Sequence, residues 1–207
     1  MAVRRYDTAI FDLGGVLIDW DPRFLYRRLF NGDEEAMEEF LATVCTPDWN
    51  RCQDAGRSFA EAQAEAIARY PHHRELITAW LRHFDEMIPR AIDGSVVVLD
   101  RLRSSGVALY ALTNWSAETF ALSRRRFAFL DWFRGIVVSG QEHMIKPDPR
   151  IFALLLERYG IAPARAVFID DSAANVAAAE AFGMHPIRFS APARLATELQ
   201  ALGLLPA

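Results

Sequence analysis

The chain has 207 residues, enough for one core domain with a modest insertion, and its 52% apolar and 24% charged content is ordinary for a soluble globular protein. A formal net charge of −4 gives no electrostatic footprint for nucleic acid or an anionic membrane, so a protein of this charge that handles anions must concentrate its cations locally. Cys45 and Cys52 lack metal-type spacing and read as reduced thiols, no segment reaches transmembrane length, and the basic start at Arg4-Arg5 runs into Asp12 without a small-residue cleavage site, so the expected compartment is the cytoplasm.

Residues 6–11 form an apolar run that ends at Asp12 and passes at once into Leu13-Gly14-Gly15, the pattern of a buried strand leaving into a glycine turn. From Asp19 to about Ile92 the strand-type pattern disappears. Asp21-Pro22 reads as a cap followed by proline at the first helical position, opening a helix over 23–30. Helical patterns follow over 34–43 and 58–70, with a further stretch from Pro71 to about Met87. Strands are then predicted over 107–112, 136–138, 166–169 and 186–189, separated by helices over 94–104, 117–126, 150–159 and 172–182. Asp148-Pro149 repeats the cap-and-proline start, and Gly160 and Gly183 have the position of left-handed helix stops. Alternating strands and helices predict an α/β fold with a doubly wound parallel sheet. Residues 1–18 and 92–207 would form that core, and 19–91 a helical insertion.

Open α/β sheets gather their ligands at the carboxyl ends of strands. Asp12 sits at such an end, where a carboxylate can attack an electrophile or bind a cation, and the glycines after it let a ligand approach the backbone. Thr113 and Asn114 follow the strand over 107–112, Asp170 and Asp171 follow the one over 166–169, and Lys146 precedes Pro147-Asp148-Pro149. Two adjacent acids at the end of an apolar strand are costly without a cation. Magnesium, with its near-octahedral oxygen shell, suits such a place.

The ordered series Asp12, Thr113, Lys146 and Asp170-Asp171 resembles the four motifs of the haloacid dehalogenase-like hydrolase superfamily over about residues 6–190. It is most similar to the helical-cap phosphatase branch, including bacterial glucose-1-phosphate-type sugar phosphatases. The resemblance implies a Rossmann-like core, a cap over the catalytic face, and a magnesium-dependent phosphatase of a small, sugar-like phosphorylated metabolite. It makes Asp12 the nucleophile and gives Lys146 a place in catalysis. Thr113, Asn114 and Lys146 would hold the phosphate. Magnesium would take Asp12, the Gly14 carbonyl and Asp171, with Asp170 a direct or outer ligand. Asn175 stands where many relatives carry a further acid and would position Lys146 or a metal-bound water.

Gly14 departs from the family pattern, because most of these phosphatases carry there the aspartate that acts as general acid and base. Asp19 and Asp21 are the nearest acids that could substitute, although helix capping is the readier account of both. Trp20, Trp49, Cys52 and Asp54 lie in the insertion and are weaker candidates for the cleft. His72, His73, His143 and His185 have no evident partner and read as structural or exposed. Two rival functions use the same residues. A 2-haloacid dehalogenase would employ Asp12 without metal and would tolerate Gly14, but it would not require the late acid pair. A pseudo-phosphatase would bind a phosphometabolite without turnover, and it would not need a nucleophile.

Overall fold

The computed structural model describes residues 5–206; residues 1–4 and 207, including part of the basic start, lie outside them. The chain begins with β1 (Thr8–Phe11) and a short β2 (Ile18–Asp19), which pairs antiparallel with β3 (Arg90–Ala91). Between β2 and β3 run α1 (Arg23–Leu29), α2 (Glu34–Thr43), α3 (Pro47–Asp54), α4 (Phe59–Arg69) and α5 (Arg74–Arg82). The rest alternates. It comprises α6 (Asp93–Ser104), β4 (Ala108–Thr113), α7 (Ala117–Ser123), β5 (Gly135–Val138) and α8 (Ser139–Glu142). It continues with α9 (Pro149–Tyr159), β6 (Ala166–Asp170), α10 (Ala173–Ala181), β7 (His185–Arg188) and α11 (Pro192–Ala201).

The five-stranded sheet is parallel throughout, in the order β5-β4-β1-β6-β7. Its strands are apolar on both faces, which obliges a layer on each side. Ala9, Phe11, Leu109, Ala111, Val167 and Ile169 join one buried cluster, while the intervening Ile10, Tyr110, Leu112 and Phe168 join a second. That alternation is the period of two expected of a pleated strand. From β1 the chain steps to β4 and β5 on one side, then crosses to β6 and β7 on the other. The carboxyl ends of β1, β4 and β6 therefore meet at the switch point of the sheet, the place where open α/β folds bind ligands.

The caps of α9 fall where the sequence suggests, whereas the cap position of α1 is Pro22, one residue after the expected Asp21, with no side-chain cap. Asp148 accepts from Arg150 N at the start of α9, and Gly160 closes it in the left-handed region at φ 61°. In the insertion, Ser58 and Glu61 form a reciprocal capping box on α4. Trp80, Tyr26, Phe40 and Phe59 are buried there, with Tyr26 and Trp80 ring centroids 6.0 Å apart, and they share one cluster with Phe11, Leu13 and Leu17 of the core.

Several elements have no counterpart in the sequence-based expectation: α3, α8, α11, β2 and β3. The four-residue α8 and the two-residue β2 and β3 are too short to show a period. Helix α3 has few apolar residues, yet Thr46 caps it through Trp49 N at 3.0 Å and Pro47 occupies its first turn. The helix expected over 117–126 stops at Ser123 and tightens into a 3-10 turn at Arg124–Arg126. Among the described residues no helix is long and apolar enough to cross a membrane.

Candidate active site

Asp12 immediately follows β1, and its amide extends the sheet ladder by donating to Ile169 O at 2.8 Å. Its Oδ1 accepts from Leu13 N at 2.7 Å. Lys146 Nζ lies 3.0 Å from Asp12 Oδ2 and 2.7 Å from Asp170 Oδ2, with the lysine side chain wholly buried. Asn175 Nδ2 donates to both Asp170 oxygens at 3.0 Å, and Ser172 N donates to Asp170 Oδ1 at 2.9 Å. The Asn114 side chain fixes the lysine from behind, donating to Lys146 O at 3.0 Å and accepting from Lys146 N at 2.8 Å. The peptide bond between Lys146 and Pro147 is cis.

This packing controls the charges. Burial raises the Asp12 pKa; Lys146 opposes that rise and the Asp170 charge adds to it. Burial also disfavours the Lys146 ammonium, but the two carboxylates beside it prevail and its pKa lies above the ordinary lysine value. Desolvation, followed by the Asp170 charge, raises Asp171. Asp12, Asp170 and Asp171 each bring an oxygen within 4.8 Å of the others. With Lys146 as their cation, three carboxylates leave two negative charges uncompensated, which matches a divalent ion. The Asp170 oxygens are taken up by Lys146, Asn175 and Ser172. Asp171 is exposed beside Gly15, where a Cβ would come 2.6 Å from its Oδ2 and where φ is +72°. Only glycine suits that turn.

Asp12, Gly14, Gly15 and Asp171 form the floor of a cavity of about 430 Å³, and Asn114 and Trp115 line its core side. The insertion supplies Trp20, Asn50, Asp54 and Phe84 to the same cavity. Asp54 is the last residue of α3. Asn50 Nδ2 donates to its Oδ2 at 3.0 Å, and Ser139 Oγ donates to its carbonyl at 2.6 Å, joining the insertion to the core. Burial pushes the Asp54 carboxyl up to about 7, with a hydrogen bond from the Ser116 backbone opposing and the Asp12 charge assisting. Of the weaker sequence candidates, Asp54 and Trp20 are the two that line this cavity.

The remaining candidates lie elsewhere. Asp19 pairs with Arg90 at 2.6 Å across the β2–β3 ribbon, and Asp21 accepts from Arg23 N at 2.9 Å at the start of α1. Both are occupied by structural contacts and neither lines the cavity. Trp49 packs against Trp80 inside the insertion, with ring centroids 5.3 Å apart, and Cys52 is exposed on the outside of α3. His143 has a left-handed backbone, φ 54°, and its ring fills the space over Gly56. His185 rests on Tyr6, and the rings of His72 and His73 meet at a tilt of 52° in a 3-10 turn. Thr113 Oγ1 at the end of β4 is buried and has no hydrogen-bond partner among the described residues.

Sheet topology and carboxylate cluster together define an α/β protein with an acid-lined face at the switch point of its sheet. A family model described as haloacid dehalogenase-like hydrolase matches residues 6–183, and the chain belongs to that family. It is 30% identical over 184 residues to the sesquiterpene phosphatase AstK of Aspergillus oryzae, covering 86% of this chain and 87% of the relative. It is 28% identical over 219 residues to acyl-CoA dehydrogenase family member 10 of Mus musculus, covering 96% of this chain but 19% of that protein. Among solved structures, a HAD family enzyme of Bacteroides thetaiotaomicron in complex with magnesium and inorganic phosphate superposes with a TM-score of 0.71 at 24% identity. That match covers 90% of this chain and 95% of the other.

Proposed function

We propose that this protein is a magnesium-dependent phosphomonoesterase that hydrolyses a small phosphorylated metabolite, of the size of a sugar phosphate, through an aspartyl-phosphate on Asp12. The grouping of Asp12, Asp170 and Asp171 around Lys146 at the ends of β1 and β6 carries this reading. Phosphoryl transfer needs a nucleophile, compensation of the phosphate charge and accurate placement. Asp12 is the nucleophile, held in one orientation by Leu13 N and Lys146 Nζ. Lys146 also supplies positive charge to the phosphate oxygens, and Asn114 sets the position of the lysine backbone. Thr113 Oγ1, buried at the end of β4 and without a partner among the described residues, would donate to a phosphate oxygen that reaches it from the cavity.

Asp12, Asp171 and the Gly14 carbonyl would hold the magnesium ion, with Asp170 behind them as the anchor of Lys146. A bound magnesium ion offsets the charge of the phosphate and of the two acids. The alcohol part of the substrate would lie against Ile18, Trp20, Phe84 and Trp115, with Asn50 and Asp54 as its polar neighbours. Apolar faces with a few directed polar groups fit a sugar ring. The phosphatase name of the Aspergillus relative supports the same reaction class. A dehalogenase would also use Asp12, but it has no need of the uncompensated Asp171.

The test is a phosphate-release screen over phosphorylated metabolites with magnesium and with excess chelator, run beside a halide-release assay. Phosphate release that stops in chelator is the expected result; full activity in chelator would overturn the metal-dependent reading. Asp12→Asn should lower turnover by several orders of magnitude and leave the fold intact, because the amide keeps the shape and loses the nucleophile.

A further inference from the structure

We propose that Asp54, carried on the insertion, is the proton donor to the leaving alcohol, replacing the acid that position 14 lacks. The assignment rests on the phosphomonoesterase reading above.

In an in-line displacement the leaving oxygen lies on the side of phosphorus away from the nucleophile. Here that means away from the floor formed by Asp12, Gly14 and Asp171. Among the described residues the ionisable side chains lining the cavity are Asp12, Asp171 and Asp54, and Asp54 is the one that comes from the insertion. Its neighbours on that side are Trp20, Asn50 and Phe84, none of which transfers a proton readily. Asp19 and Asp21, the acids closest to Gly14 in sequence, are held by Arg90 and by the Arg23 amide.

Asp54 is also held in place. Its helix starts with a capped proline turn, Asn50 Nδ2 grips one carboxylate oxygen, and Ser139 Oγ ties its carbonyl to the core. The charged groups that share the cavity with it are Asp12 and Asp171; His143 packs on Gly56, two residues further along the chain. Burial is the main cause of the rise of its carboxyl to about 7, so near neutral pH a large fraction holds the proton a donor must give.

In the first step an Asp12 oxygen bonds to phosphorus as the bond from phosphorus to the ester oxygen breaks. Asp54 gives its proton to that oxygen, and the neutral alcohol leaves. In the second step water attacks the phosphorus of the aspartyl-phosphate and passes one proton to the Asp54 carboxylate. Hydrogen phosphate and the free Asp12 carboxylate result, and Asp54 is protonated again.

The test compares the full chain with its Asp54→Asn variant, both with magnesium, on p-nitrophenyl phosphate and on primary alkyl phosphates. A leaving group as acidic as nitrophenol needs no proton, whereas an alkoxide does. The variant should lose about 10²–10⁴ on alkyl esters and less than about tenfold on the aryl ester. In the parent, the alkyl-ester rate should fall as pH rises past about 7, and that limb should vanish in the variant. Retained aryl turnover certifies that the variant is folded. An equal loss on both ester types, or an unchanged alkyl rate, would overturn the assignment to Asp54 and leave the phosphatase reading standing. No phosphate release from any ester by the parent would overturn both.

Discussion

The Asp54 carboxyl is buried in a way that favours its neutral form, and the fold carries a stability cost wherever the unfolded chain would ionise it. Its folded value of about 7 stands above the ordinary 3.8. Below about pH 4 both states are protonated, so the group costs nothing. Between about 4 and 7 the unfolded chain releases its proton first and stability falls; above about 7 the full cost is present. Asp54→Asn is therefore expected to raise the melting temperature at pH 8 and to leave it unchanged at pH 4. A gain of about 1 kcal/mol corresponds to roughly 2–4 °C in a chain of this size. Equal shifts at the two pH values, read by calorimetry, would assign the effect to packing and not to ionisation. Such a cost at a reactive group is the usual trade between stability and activity.

Helix α8 presses directly on the loop between β4 and α7, and Gly140 makes this contact possible. Its amide donates to Trp115 O at 3.0 Å, and a Cβ there would come 2.5 Å from Ala117 N and 2.8 Å from Trp115 O. Those are backbone atoms with no rotamer to yield. Gly140→Ala should cost about 1–3 kcal/mol, seen as a lower denaturant midpoint at unchanged slope. At this scale the sequence was legible where periodicity is strong and silent where it is not. The strands over 6–11, 107–112 and 166–169 are unbroken apolar runs, and β1, β4 and β6 lie within a residue or so of them. Helix α3, with the sequence Pro-Asp-Trp-Asn-Arg-Cys-Gln-Asp, has no apolar face to detect. Thr46-Pro47 was its one local signal, the same cap-and-proline pattern that marked α9. Without that helix the sequence offers Asp54 only as a weaker candidate for the cleft, with no orientation toward the cavity it lines.

At the scale of the whole molecule, an acidic chain gathers three carboxylates at one end of its sheet around a single buried lysine. A cation that binds only the folded form should stabilise it by mass action, about 2.7 kcal/mol at a hundredfold excess over its Kd. Magnesium is thus expected to raise the melting temperature by roughly 5–10 °C. Asp171→Ala should abolish most of that response, and Asp170→Ala should lower it less, since the Asp170 oxygens already serve Lys146, Asn175 and Ser172. A melting temperature indifferent to magnesium in the parent would contradict the cluster's reading as a metal centre. The cluster itself was readable in the sequence because each member sits at or just beyond the end of a buried strand or beside a helix start. The roles of Asn114 and Asn175 as braces for Lys146 and Asp170 were less so, since they depend on side chains meeting across 32 and 5 residues of chain.

Trp20, Asn50 and Asp54 reach the cavity from one and the same helical insertion. If Asp54 delivers the proton, the surface that discriminates among alcohols is also the one that activates them. An ill-fitting alcohol then loses its protonation together with its contacts, because both depend on how the ester seats against that layer. Preference among substrates would be written in kcat more than in KM, the mark of binding interactions realised only in the transition state.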